Sequence, residues 1–181
     1  MSDCGPWLDV IEYAAERMRR ELGVATLSVS RFDSGDAVLR TLVNAGHLGP
    51  GEERRPRHEV YPLARYPLVA RLYAARRPYL STPGAPGDAA AVACESALGK
   101  SSQAAAPLVV GGRVWGELWA ASTSEQRPLT RADLPDVCAA AERFAAGLAR
   151  LLADLRDGPR PRWAHGPMRL RARPAPSRGR R

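Results

Sequence analysis

The stretch GGRVWGELWAAS, residues 111–122, carries the most informative pattern in this chain. Its Gly-Gly pair favours a tight turn, and the residues that follow alternate as in a β-strand. Alternation places Trp115, Glu117 and Trp119 on one face of that strand, with Gly116 on the other. Because a glycine lets a neighbouring strand or helix approach closely, we expect the Gly116 face to meet a helical layer. Both tryptophans are then predicted to face the opposite side.

Two hairpins are predicted around this pattern. Residues 103–110 form a strand that contains Pro107, and the Gly-Gly pair turns it directly back into the strand described above. Proline lacks a ladder donor, so Pro107 indicates a sheet edge or a bulge. Earlier in the chain, residues 24–32 alternate, and a turn at residues 33–36 leads into a second strand over residues 37–46. Paired hairpins predict an antiparallel sheet.

Helical periodicity flanks these strands. Apolar residues recur at helical spacing over residues 7–22, and again over residues 134–155 after a capping box at residues 130–133. A short helix is predicted over residues 68–76, whereas residues 81–93 are rich in Ala, Pro and Gly and show no clear periodicity. The pattern predicts an α+β domain with helices packed on one sheet face. The loops and the short helix must then cover the other face, and such a cover favours a small-molecule cavity.

The order and spacing of several motifs resemble those of a bacterial GAF domain. The motifs are Ser102 followed by Pro107-Leu108, the pattern G-x-V-x-G-x-L over residues 112–118, and Pro-Leu-Thr at residues 128–130. Residues 61–80 are also similar to GAF domains of actinobacterial signalling proteins. The resemblance covers about residues 6–155. At residues 103–106 the family pattern has bulkier apolar residues than this chain does. The smaller side chains here leave extra volume at the sheet centre.

The resemblance implies a six-stranded antiparallel sheet with the N- and C-terminal helices on one face and a loop and short-helix lid over the other. It implies a stand-alone sensory domain over residues 1–156 that binds a small molecule or a partner protein in signal transduction and has no catalytic activity. Many GAF domains dimerise through their terminal helices, so the resemblance also implies a homodimer.

Glu117 and Trp119 are the first candidate ligand-binding residues. Trp119 is suited to stack on a planar ligand, and Glu117 is suited to accept hydrogen bonds from it. The alternative is that the tryptophans fill space and that Glu117 lies near a strand edge in solvent. We expect Trp115 to be filler, and both interpretations of Trp119 stay open.

Five further residues are candidates for ligand binding. Tyr61, Arg65 and Tyr66 lie where the loop enters the short helix and are suited to bind an anion or a ring; the alternative is that they pack against the surface. Ser102 and Gln103 lie just before or at the start of the predicted strand and are suited to donate hydrogen bonds to a ligand. Their alternative role is local turn capping.

The cysteines give weak support for catalysis. Cys4, Cys94 and Cys138 are far apart and odd in number, which fits neither a disulfide framework nor a metal site and favours a reducing cytoplasm. Within the resembled family, a thiol enzyme of the free methionine sulfoxide reductase type is the alternative, with Cys94 in the lid as its thiol. The cysteine motif of that enzyme is absent, so we predict no catalytic residue.

No cofactor or metal is expected. Attachment of haem or a bilin would call for a histidine, or a cysteine-histidine pair, at the cavity. His47 and His58 lie in the polar loop and His165 lies near the C-terminus. The cyclic-nucleotide signature of the family is also missing.

The positive charge is concentrated near the C-terminus. Residues 157–181 contain eight arginines and one acidic residue, so they carry +7 of the formal net charge of +8. Few apolar residues accompany them, which predicts a disordered tail. The alternative is that these arginines bind nucleic acid or an acidic partner. No apolar run approaches the roughly 20 residues of a membrane span, and no secretion signal is evident, so the predicted location is the cytoplasm.

Overall fold

Six antiparallel strands and four α-helices make up residues 7–157, the part of the chain that the computed structural model describes. The helices are α1 (Trp7–Leu22), α2 (Pro67–Ala75), α3 (Ala89–Ala97) and α4 (Leu134–Asp157). The strands are β1 (Thr26–Asp33), β2 (Val38–Gly46), β3 (Val60–Pro62), β4 (Tyr79–Ser81), β5 (Lys100–Val110) and β6 (Arg113–Thr123). They form one sheet in the order β3-β2-β1-β6-β5-β4.

Helices α1 and α4 pack on the same face of the sheet. The main core joins Ile11 of α1 and Phe144 of α4 to Leu27, Val29 and Leu118 of the central strands. Each helix buries one apolar stripe and leaves its charged face in solvent, which is the pattern that stabilises a helix on a sheet. The predicted α+β class is therefore confirmed, with both terminal helices on one side.

A smaller lid covers the other face and has its own core. Leu39, Val69, Leu72 and Tyr79 are members of this second cluster, which includes residues of α2 and α3. Helix α3 was not predicted, and its first half lies in the segment over residues 81–93 that shows no clear periodicity. Asp88, the residue immediately before α3, accepts hydrogen bonds through its carboxylate from two backbone amides at the start of α2, so the two lid helices are joined.

Gly116 has the close contact that its type predicted. A Cβ atom at this position would lie 2.0 Å from the backbone carbonyl oxygen of Ser30 in the neighbouring strand β1. A backbone atom cannot move aside as a flexible side chain can, so only glycine fits. The approaching element is the neighbouring strand.

The two tryptophans of β6 lie on opposite sides of the sheet, so the prediction that both face the lid is wrong for Trp115. Leu108 pairs with Gly116, whereas Val109 pairs with Val114, which leaves Trp115 as an extra residue without a partner. Such a bulge shifts the alternation by one residue. Trp115 therefore packs against the helix-side core, and Trp119 packs in the lid cluster.

Two further local predictions are confirmed. Strand β4 pairs with β5 only at residues 103–105, so at Pro107 strand β5 has a single neighbour, β6. Thr130 and Asp133 form the predicted capping box at a short 3-10 turn in front of α4. None of the helices within residues 7–157 has both the length and the apolar character to cross a membrane. Apart from Asp157, the predicted tail lies outside the described residues.

Candidate functional site

A cavity of about 60 Å³ lies between the sheet and the lid. Its sheet side is formed by β1, β2 and β6, and its lid side by residues around β3, α2 and α3. Polar side chains account for much of the lining. They are Ser28, Ser30, Thr41, Glu52, Glu59, Tyr61, Tyr66, Cys94, Glu95, Lys100, Glu117 and Trp119.

One end of the cavity holds a buried ion pair. Lys100 Nζ lies 2.5 Å from Glu52 Oε1, and both side chains are almost fully buried. Glu95 Oε2 lies 3.8 Å from the same ammonium group and has no hydrogen-bond partner among the described residues. Burial raises the pKa of Glu95 to about 7, although Lys100 opposes the shift. Lys100 is therefore committed to Glu52 and compensates Glu95 only in part.

Glu59 is held by three neutral donors. Its Oε1 accepts hydrogen bonds from Thr41 Oγ1 and from the Tyr61 hydroxyl, both at 2.8 Å. Its Oε2 accepts a hydrogen bond from Asn44 Nδ2 at 3.1 Å. These bonds join the loop before β3 to the sheet, so Glu59 positions one wall of the cavity.

Glu117 lies at the centre of the sheet side and is only 3% exposed. Its Oε2 accepts a hydrogen bond from the Tyr73 hydroxyl at 3.0 Å. Within residues 7–157 the other oxygen, Oε1, has no hydrogen-bond partner, which leaves it open to the cavity. Burial raises the pKa of Glu117 to about 8 against the opposing effect of the Tyr73 hydrogen bond, so the carboxyl group is mostly protonated at neutral pH.

Aromatic rings form the apolar part of the lining. Trp119 stacks on Tyr79 with ring centroids 5.0 Å apart, and Tyr61 meets Tyr66 edge-on at 6.0 Å. Trp119 therefore both fills the lid core and borders the cavity. Its position is compatible with both interpretations, and stacking on a ligand stays a prediction.

Four of the seven candidate ligand-binding residues line the cavity together: Tyr61, Tyr66, Glu117 and Trp119. Arg65 is exposed and lies outside the lining. Ser102 Oγ accepts a hydrogen bond from the backbone N–H of Leu129 at 2.8 Å, so it joins β5 to the segment before α4 and does not cap a local turn. Gln103 is buried in β5 beside β4 but does not line the cavity.

Sequence reasoning missed Glu52, Glu59, Glu95 and Lys100. One signal was present: Lys100 is the only lysine in a chain with 26 arginines. The glutamates gave no such signal, because Glu52 and Glu59 belong to a charged loop and Glu95 belongs to an unpredicted helix. Their convergence depends on how the lid folds over the sheet.

The cavity also contains Cys94, which is only partly buried. Burial and the nearby Glu95 raise the pKa of its thiol, the opposite of the shift that activates a redox cysteine. Cys138 packs with the helix-side core, on the other side of the sheet. Among residues 7–157, no group of three or more His, Cys, Asp and Glu side chains is placed to hold a metal ion.

No family model matches this sequence, and no curated protein is significantly similar to it. Many solved structures share its architecture. The phycocyanobilin-bound GAF domain of a cyanobacterial phytochrome aligns with a TM-score of 0.66 and 18% identity, over 84% of this chain and 88% of that one. A methyl-accepting chemotaxis protein, residues 122 to 287, aligns at 0.63 and 21%, over 84% and 93%. The GAF domain/HD domain protein of Geobacter sulfurreducens aligns at 0.63 and 16%, over 82% and 95%.

A bilin does not fit the cavity described above. Pockets for drug-sized ligands have volumes of about 300–1,000 Å³, several times the 60 Å³ found here. The histidines of the polar loop, His47 and His58, are not among the lining residues.

The shared features are the six-stranded sheet, the terminal helices on one face and the lid over the other. They extend over most of each aligned chain. This chain therefore has the fold of the GAF domains.

Proposed function

We propose that this chain is a regulatory GAF module that binds a small molecule between its sheet and its lid and catalyses no reaction. The observation that carries the proposal is Glu117, a buried carboxyl group with one oxygen open to the cavity. The indole N–H of Trp119 in the same lining is buried and has no hydrogen-bond partner within residues 7–157, and such a group costs free energy. Its position in a cavity therefore favours a role in ligand binding over a role in folding.

The structural neighbours support a sensory role. A phytochrome domain and a chemotaxis protein are among them, and the phytochrome domain is described as phycocyanobilin-bound. In this module, ligand binding would shift the population between two packings of the lid on the sheet, provided that the ligand binds one packing more tightly. Output would pass to a partner protein in the cytoplasm.

The terminal helices are the proposed dimer contact. Val10 and Tyr13 of α1 are 52% and 72% exposed, and Leu155 near the end of α4 is also exposed. Exposed apolar side chains on the two outer helices favour association of two copies through a helical bundle. Light scattering that reports only monomer at high protein concentration would contradict this part of the proposal.

The absence of catalysis is also a proposal. The raised pKa of Cys94 disfavours the thiolate that a sulfoxide reductase requires. If the thiol enzyme is the correct alternative, the wild-type protein will reduce free methionine sulfoxide and Cys94→Ser will abolish the activity. Absence of activity in both proteins would remove the alternative.

Trp119→Phe tests ligand binding, and Trp115→Phe is its matched control. The two tryptophans belong to the same strand, but Trp119 borders the cavity whereas Trp115 packs on the helix side. We expect native mass spectrometry of the purified full chain to detect a retained small molecule that is lost from Trp119→Phe and kept by Trp115→Phe. Equal retention by both variants would place the ligand outside this cavity.

A further inference from the structure

We infer that the cavity binds a small primary or secondary ammonium ion, whose N–H groups donate to Glu117 while its alkyl part contacts Trp119 and Tyr61. The inference rests on the proposed function, because it names the ligand class of the same cavity. It is carried by the charge balance, the free acceptor, the size of the cavity and its aromatic lining.

The charge balance of the cavity favours a cation. Four glutamates line it, whereas the only cationic side chain in the lining is Lys100. That ammonium group pairs with Glu52 at 2.5 Å and stands 3.8 Å from Glu95. Lys100 is therefore not available to stabilise Glu117 in its ionised form. A ligand with a positive charge would supply the missing partner, and an anion would be repelled.

The hydrogen-bonding groups favour a cation that carries N–H. Glu117 Oε1 is open to the cavity and has no partner within residues 7–157, and once the carboxyl group loses its proton it can only accept. The Tyr73 hydroxyl already donates to Glu117 Oε2 and the Tyr61 hydroxyl donates to Glu59, whereas the indole N–H of Trp119 has no partner within residues 7–157. A quaternary ammonium ion has no N–H to offer, so it would supply the charge without the hydrogen bond.

Volume and aromatic lining limit the rest of the ligand. One water needs about 10–15 Å³ of volume by this measure, so a cavity of about 60 Å³ accommodates a ligand of on the order of five heavy atoms. Rings of Trp119, Tyr61 and Tyr66 border the cavity, and aromatic faces attract cations at close range. A short alkylammonium ion matches both conditions.

Proton release provides an independent readout. At pH 7 the buried carboxyl group of Glu117 is mostly protonated, since burial raises its pKa to about 8. The groups that act on it are Tyr73 of α2, which donates a hydrogen bond, and Glu95 of α3, whose charge repels. Ammonium binding would ionise Glu117 and release its proton. Affinity is expected to rise from pH 6 to pH 8, where the alkylammonium ion itself stays charged.

The test is isothermal titration calorimetry on the full chain with ethylammonium chloride, in two buffers that differ in ionisation enthalpy. Tetramethylammonium supplies the charge without N–H, and acetate supplies the opposite charge. We expect ethylammonium to bind about tenfold more tightly than either, with net proton release. Glu117→Gln should weaken ethylammonium binding by about tenfold and remove the proton release. Glu125→Gln, at an exposed position outside the cavity, should change neither.

A second variant, Glu95→Gln, allows the inference to be tested even if Glu117→Gln does not fold. Glu95→Gln should weaken ethylammonium binding to a smaller extent, because Glu95 lines the cavity but already lies 3.8 Å from the Lys100 ammonium group. Circular dichroism of each variant checks that its fold is retained. Ethylammonium binding that is unchanged in both variants would overturn the inference.

The outcomes separate the ligand class from the proposed function. If acetate or a neutral compound binds in a Trp119-dependent manner and ethylammonium does not, the inference is overturned and the ligand-binding function stands. If no compound binds and native mass spectrometry finds no retained molecule, both are overturned.

Discussion

Glu117 is the residue on which the cavity depends. It lies in a strand between two tryptophans. The alternative prediction, that Glu117 lies in solvent near a strand edge, is wrong because the lid buries its side chain. Burial without a cationic partner raises its pKa to about 8 from the ordinary value of 4.5. The folded protein therefore keeps a proton that the unfolded chain releases at a much lower pH.

This difference predicts how stability depends on pH. Between about pH 5 and pH 8 the folded state binds more protons at Glu117 than the unfolded state does. The free energy of unfolding should therefore fall as pH rises, with up to about 1.4 kcal/mol per pH unit coming from this group. Glu95, with a pKa raised to about 7, adds to the slope in the lower part of the range. Urea denaturation of the full chain at several pH values measures the total slope.

Glu117→Gln isolates the contribution of this residue. The amide cannot titrate, so the slope of unfolding free energy against pH should be smaller than in the wild type, most clearly between pH 7 and pH 8. Glu125→Gln should keep the wild-type slope, since its side chain is exposed. Parallel pH profiles for the wild type and Glu117→Gln would contradict the assignment.

Strand β6 is the element that joins the two halves of the molecule. Leu118 faces the helix-side core, and Trp119 faces the lid. The bulge at Trp115 and the close packing at Gly116 lie at its first half, so the strand changes which face its side chains occupy just before the cavity. A displacement of β6 would therefore change the packing of both the helix layer and the lid.

Gly116→Ala tests the close packing of β6. The added Cβ would lie 2.0 Å from the Ser30 carbonyl oxygen, and relieving this overlap requires the backbones of two central strands to separate. We expect the free energy of unfolding to fall by about 2–4 kcal/mol, measured by urea denaturation.

Gly147→Ala is the matched control for that substitution. Gly147 lies within α4, and a Cβ there would meet no atom within 4 Å. Alanine favours the helix, so this variant should gain about 0.5–1 kcal/mol. If both substitutions change the free energy of unfolding equally, the close contact at Gly116 does not contribute specifically to stability.

Strands and the long helices were predictable because their patterns are local. Periodicity located α1, β1, β2, β5, β6 and α4, and the Gly-Gly turn located one hairpin. Helix α3 was missed because it buries little: within Ala89–Ala97 only Ala91 is fully buried. An alanine-rich segment of this kind has no apolar stripe, so its contacts with the rest of the lid determine that it forms a helix.

At the scale of the whole molecule, the two hydrophobic cores lie within residues 7–152. Removal of residues 158–181 should therefore leave the melting temperature of the domain unchanged to within about 2 °C. The truncation also removes eight arginines. If those arginines bind nucleic acid, salt-sensitive binding in an electrophoretic mobility assay should disappear. Binding that survives the truncation would exclude this role for them.

The sequence by itself determined the antiparallel sheet, the pair of terminal helices, the glycine at the tight contact and four residues of the cavity, because each depends on periodicity or on the type of a single residue. Only the tertiary structure decided the side of Trp115 and the acidic character of the cavity. A one-residue bulge reverses the alternation without a recognisable sequence signal. Glu52 and Glu59 belong to one loop, whereas Glu95 and Glu117 belong to separate later elements, so the four side chains share an environment only when the lid packs over the sheet.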